Sequence, residues 1–236
     1  MEYNRLYFIN RLVKEKKFRS YLEIGVFLGK IFFNISAKKK IAVDPYFRFG
    51  FYRKFKRIFK NITNLNAKFF EKTSDAFFAE DAANLFADTK LDICLVDGMH
   101  EYQFALRDVE NSLRYLQKQG VIIMHDCNPQ TATAAISFEE WKSNKFQGVW
   151  NGDVWKTIVH LRSSREDVNV FVLDCDEGLG VVTFGKPENK LNFTPHQIDA
   201  FSYAEFSENR KEWLNLKPAS YFFEYFGMKE AVSNEQ

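Results

Sequence analysis

Cysteine is scarce in this chain, with only Cys94, Cys127 and Cys175. Three scattered thiols cannot build a disulfide framework, and none forms a Cys-x-x-Cys pair of the kind that holds structural zinc. A reduced, cytoplasmic setting is therefore expected. An excess of one charge is also missing: 33 basic against 31 acidic residues leave a formal net charge of +2. No global field calls for a polyanionic partner, so nucleic acid is not expected. No run approaches the roughly 18 apolar residues of a membrane span. The opening MEYNRLYFINRLVKEKKF has no continuous apolar core and does not read as a signal peptide. Internal repeats and low-complexity segments are absent as well. What the sequence has in quantity is phenylalanine, 26 residues in 236, with aromatics at 17%. Most must pack inside, because a soluble protein exposes few large apolar side chains at once. The length suits one large α/β domain.

Short apolar runs alternate with helical stretches. Tyr3 to Lys16 reads as an amphipathic helix with Leu6, Ile9, Leu12 and Val13 on one face. Tyr21–Ile24 is a strand ending at Gly25, and Gly29 opens the next, helical segment. Ile41–Asp44 is a second strand, stopped by Pro45, and Ala67–Phe70 a weaker third. A polar loop from Glu71 to Asp75 leads to a helix through Phe86. Leu91–Val96 is the fourth strand, ending at Asp97-Gly98. Ala105, Val109, Leu113 and Leu116 then repeat at helical spacing, Gly120 closes that helix, and Val121–Met124 follows as a central buried strand. Residues 128–152, with Trp141 and Trp150, form a long excursion of the kind that lids a site. Asp153 is expected to cap a helix to about Arg162. Val168–Leu173 and Val181–Phe184 flank a turn and read as an antiparallel hairpin. The tail is helical around Glu205 to Leu216. This pattern predicts a Rossmann-like α/β fold: a mostly parallel seven-stranded sheet with a C-terminal antiparallel hairpin and helices on both faces. Residues 1–185 would form the domain, with an N-terminal helix over 1–18 and a lid over 128–152. Residues 186–236 would be a helical extension packed on it.

A doubly wound sheet binds its ligand at the carboxyl ends of its strands. The polar residues there converge: Glu23, Gly25, Asp44, Thr73-Ser74, Asp97 and His125-Asp126. The loop Glu23-Ile-Gly25-x-x-x-Gly29 lets backbone pass close to a ligand. A dinucleotide fingerprint needs a glycine where Phe27 stands, so a phosphate-free ligand fits better. Asp44, ending the second strand, can accept hydrogen bonds from ribose hydroxyls, or serve as a turn aspartate before Pro45. Asp97 and Asp126 end adjacent strands, so the two carboxylates share a metal, share a proton or are held apart by donors. His100 and His125 fall beside them and are candidates for the general base, with Asp126 assisting. Each is otherwise a cap or the partner of a buried carbonyl. Tyr46 to Lys60 interleaves six basic residues with seven aromatics. It reads as a surface helix with a solvated basic face, or as a contact for an anionic membrane surface or nucleic acid.

These segments resemble a known family. EIGVFLGK, VDP, TSDAFF, LDICLVDGMHEYQFALRDVENSLRYLQKQGVIIMHDCNP and GDVWKTIVHLR are similar to the bacterial Methyltransf_24 methyltransferases over roughly residues 20 to 185. The resemblance implies the class I S-adenosylmethionine-dependent fold, with the terminal hairpin as its last two strands. It implies methyl transfer to a hydroxyl of a small molecule such as a sugar or secondary metabolite. By the same resemblance Glu23, Gly25 and Gly29 line the methionine part of S-adenosylmethionine, Asp44 holds the ribose, Ser74 and Asp75 flank the adenine, and Asp97-Gly98 completes the cofactor site. A divalent metal would sit at Asp97, His125 and Asp126, although imidazole departs from the oxygen ligands magnesium prefers. Two other readings stay open: a nicotinamide-dependent oxidoreductase, and a non-catalytic binding module built on helix 46–60.

Overall fold

The computed structural model describes residues 3–143 and 148–230. One sheet runs through the molecule, with strands β1 Ser20–Ile24, β2 Lys39–Asp44, β3 Ala67–Glu71, β4 Leu91–Val96, β5 Leu116–Met124, β6 Val168–Leu173, β7 Leu179–Phe184 and β8 Leu216–Lys217. Their order is β3-β2-β1-β4-β5-β7-β6-β8. The first five strands are parallel, and β7 inserts antiparallel between β5 and β6. The expected Rossmann-like fold is present, with the two-residue β8 added parallel to β6 at the far edge.

The helices are α1 Arg5–Glu15, α2 Phe51–Lys60, α3 Ser74–Glu80, α4 Ala82–Leu85, α5 Tyr102–Tyr115, α6 Phe138–Ser143, α7 Trp155–Ser164, α8 Pro195–Ala200, α9 Tyr203–Trp213 and α10 Tyr221–Tyr225. Alternate strand residues feed two cores, as the two-residue strand period requires. Leu22, Ile41, Cys94 and Ile122 pack with α3, α5, α7 and α9 on one face. Tyr21, Ala42, Ile93 and Val121 pack with α1 and α10 on the other, where the Phe8 and Phe222 rings lie 4.2 Å apart. Twelve of the phenylalanines are buried and eight more are half-buried.

Three local readings are corrected. Gly29 does not open an α-helix: β1 and β2 are joined by a loop and a single 3-10 turn, Phe32–Asn34. Phe32, Phe33 and Ile35 are all buried around exposed Asn34, so the segment turns three of four successive side chains inward instead of one helical stripe. Gly120 does not close a helix either, because it lies within β5, which starts at Leu116 after a register irregularity against β4. Asp153 does not cap the helix that follows it; its carboxylate accepts from the Tyr102 backbone N–H at 2.6 Å, at the start of α5.

Candidate active site

The loop after β1 is fixed by backbone packing. Gly25 has a φ of +84°, and a Cβ there would lie 1.9 Å from the Asp97 carbonyl oxygen. Only glycine fits between the ends of β1 and β4. Phe27 also has a positive φ, 46°, and its N–H donates to Asp44 Oδ2 at 2.7 Å. Asp44 Oδ1 accepts from the Tyr46 N–H at 2.7 Å. The buried aspartate thus braces both the loop and the turn before Tyr46, and each oxygen keeps a further lone pair for a ligand.

A cavity of about 730 Å³ opens at these strand ends. Its wall brings together Glu23, Gly25, Asp44, Ser74, Asp75, Asp97, Gly98 and His100, while Gly29, His125 and Asp126 stand outside the lining. Burial pushes the Glu23 carboxyl up to about 8; the Tyr21 hydroxyl that donates to it works against this, and Asp97 adds to it. Asp75 is half exposed and pairs with Arg107 at 3.0 Å. Asp108, on the first turns of α5, also faces the cavity. Burial raises it to about 7 against the hydrogen bond from Ser74, and its Oδ1 has no partner among the described residues.

At the other end of the cavity lies a charge cluster. His125 Nδ1 is 2.7 Å from Asp126 Oδ2 and 3.3 Å from Asp97 Oδ1. Arg5, the first residue of α1, places Nη1 2.6 Å from His125 Nε2 and 2.8 Å from Asp176 Oδ1, with Nε 3.3 Å from Asp97. Burial opposes charge on His125, and Arg5 favours the neutral ring. The carboxylates of Asp97, Asp126 and Asp176 outnumber them and hold its pKa well above the ordinary imidazole value. Asp126 stays below the usual carboxylate range: burial works against ionisation, and hydrogen bonds from His125 and Asn151 with the nearby His100 outweigh it. Asn151 Nδ2 donates to Asp126 Oδ1 at 2.7 Å.

His100 stands differently. Its Nδ1 faces the Trp150 carbonyl at 2.7 Å, so Nδ1 carries a proton and Nε2 is left facing Asp126 at 3.2 Å. Its ring stacks on Trp150 at 4.9 Å, and Trp150 stacks on Trp141 at 5.0 Å. The excursion 128–152 therefore lays an aromatic ledge beside the crevice; its residues 144–147 lie outside the described part.

Residues 22–127 match the Methyltransf_24 family, a methyltransferase domain, from the first strand to the cluster after β5. The fold of the chain is shared with the O-methyltransferase TomG of Streptomyces achromogenes, involved in tomaymycin synthesis and solved with S-adenosylmethionine. That pair is 11% identical, with a TM-score of 0.54 over 76% of this chain and 79% of the other. It is shared equally with an O-methyltransferase of Bacillus cereus solved with S-adenosylhomocysteine, 14% identical, with a TM-score of 0.54 over 77% and 80% of the two chains. No curated protein sequence matches.

The charge cluster after β4 and β5 bears directly on the metal expected at Asp97, His125 and Asp126. A ligating imidazole must be neutral with a free nitrogen. His125 has Nδ1 committed to the carboxylates and Nε2 covered by a guanidinium, so it fits an ion poorly. Asp97, His100 and Asp126 can bring one ligand atom each within 4.8 Å of one another. Arg5 already lies on Asp97 as a fixed cation. Sequence reading missed Arg5, Asp108, Asn151 and Asp176. Only Asp108 left a signal, an acid three residues from Ala105 on the inward face of a helix.

Proposed function

We propose that this chain is a methyltransferase that moves a methyl group from S-adenosylmethionine to a hydroxyl of a small, flat or cyclic acceptor, such as a sugar. The observation that carries the reading is that one cavity is lined both by the Glu23–Gly25 loop with Asp44 and by His100. The cavity suits the cofactor: its volume lies within the range of small-molecule sites, and Asp108 turns an unpaired buried oxygen on its wall. Glu23 and Gly25 would hold the methionine part, Asp44 the ribose, and Ser74, Asp75 and Asp108 the adenine edge.

When bound, S-adenosylmethionine supplies an electrophilic methyl on a sulfonium. The residues of the chain then orient and deprotonate the acceptor. Trp150 and Trp141 offer flat surface beside the crevice, and His100 Nε2 takes the hydroxyl proton as the oxygen attacks in line and the carbon–sulfur bond breaks. Asp126 stabilises the imidazolium so formed. His125 is not the base, since neither nitrogen has a free lone pair to offer. The transfer needs no metal, because Arg5 and His125 already offset most of the charge on Asp97, Asp126 and Asp176. The dinucleotide alternative is disfavoured by Phe27, whose ring lines the cavity beside the turn where a pyrophosphate would need open backbone.

The test is a thermal-shift titration. S-adenosylmethionine and S-adenosylhomocysteine should each raise the melting temperature, by about 2.7 kcal/mol of added stability at a hundred times Kd, and NAD should not. Asp44→Ala and Asp108→Ala should each weaken the shift. A folded protein unmoved by millimolar S-adenosylhomocysteine would sink the assignment.

A further inference from the structure

The basic aromatic segment has no part in the crevice chemistry, and the fold turns it the unusual way round. On α2 the residues leaning toward the protein are Lys54, Arg57 and Ile58. The Lys54 ammonium sits 4.1 Å over the Phe69 ring. Three of the α2 aromatic side chains point away: Tyr52 is 69% exposed, Phe55 50% and Phe59 78%. Phe55 and Phe59 pack edge to face at 5.1 Å, and Ile62 and Leu65 continue the exposed apolar surface in the 3-10 turn Ile62–Asn66. Arg53, Lys56 and Lys60 are exposed on the same outward side. Beyond α2, exposed Phe27 and Tyr46 lie under the Arg48 guanidinium, at 5.9 and 5.0 Å, and Phe27 also lines the cofactor cavity.

An ordinary surface helix buries its apolar stripe and solvates its charges. Here the stripe and the charges face outward together, and a contiguous exposed patch of this sort marks a contact surface. Charge narrows the choice of partner. From Pro45 to Phe70 the chain has no acidic residue, while Arg48, Arg53, Lys54, Lys56, Arg57, Lys60 and Lys68 are all basic. The partner must be anionic over an area and apolar just beneath it. A second copy of this chain would set cation against cation. A nucleic acid answers the charges but offers nothing to Ile62 and Leu65. An anionic bilayer answers both, with headgroups for the lysines and acyl chains for the rings.

We propose that α2 and the adjoining 3-10 turn dock this protein on an anionic membrane surface. The mouth of the crevice at Phe27 then opens close to the headgroups. The proposal does not depend on what the crevice binds.

The full chain should co-sediment with phosphatidylcholine vesicles containing phosphatidylglycerol, and not with phosphatidylcholine alone. Binding should weaken as salt shortens the Debye length from about 30 Å toward about 8 Å. Phe55→Ser with Phe59→Ser, and separately Lys56→Glu with Lys60→Glu, should each weaken binding by roughly tenfold or more. Their melting temperatures and shifts with S-adenosylhomocysteine should match the parent, since these side chains face solvent. A wild-type protein that ignores anionic vesicles, or double variants that bind as well as the parent, overturn the proposal. Concentration-dependent dimerisation abolished by the phenylalanine pair would instead assign the patch to a second copy. Oligonucleotide binding unaffected by that pair would assign it to nucleic acid.

Discussion

His100 and His125 stand one helix-start apart in the same crevice and do opposite work. His125 has both nitrogens engaged, so its ring is a fixed part of the charge cluster behind the wall. His100 gives one nitrogen to the Trp150 carbonyl and keeps the other toward the carboxylates. His100→Gln should therefore lower kcat by about 100-fold or more while leaving the S-adenosylhomocysteine shift in place, measured by single-turnover methyl transfer beside thermal shift. Equal loss in His125→Gln at unchanged stability would reverse the two roles. The strand-end residues Glu23, Asp44, Asp97 and Asp126 were legible because a parallel sheet delivers every strand end to one edge. Arg5, Asn151 and Asp176 were not. Each comes from a separate segment, and no periodicity in a sequence says which distant turn meets which carboxylate.

Among the elements, α1 has the least conventional task. Its first residue reaches into the crevice, while its backbone N–H at Arg5 donates to Asp176 Oδ2 at 2.8 Å. The turn between β6 and β7 thus caps the helix and pairs with its guanidinium through one side chain. Arg5→Gln should destabilise the fold by about 3 kcal/mol, because Asp97 and Asp176 lose a cation they share, and urea unfolding would measure it. With Arg5 in place, chelator should leave methyl transfer unchanged. Activity lost to chelator and restored by manganese would assign a metal to Asp97, His100 and Asp126. The strands were readable from their apolar runs, yet the β1–β2 connection was not. A run of buried residues after Gly29 looks the same whether the chain winds an α-helix or crosses in one 3-10 turn.

At the scale of the whole molecule, the buried charge cluster makes stability depend on pH in both directions. The raised His125 contribution is fully present below the ordinary imidazole value of 6.5 and is lost as pH rises through its elevated pKa. Asp126 and Asp176 are lowered, so their contribution is present above the ordinary 3.8 and is lost as pH falls through their depressed values. The melting temperature should peak between these limits, near mildly acidic pH. His125→Gln should flatten the alkaline limb, and an unchanged limb would show that the cluster does not hold the imidazolium.

The antiparallel strand β7 lies between β5 and β6, although it is made after both. During synthesis, β5 therefore waits with one edge unpaired until residue 184 has left the ribosome. Helix α1 waits as well: Asp176 and the α10 phenylalanines that hold it are made only after all five parallel strands. A nascent chain stalled before the hairpin therefore presents a bare sheet edge to its neighbours, with α1 still unsecured.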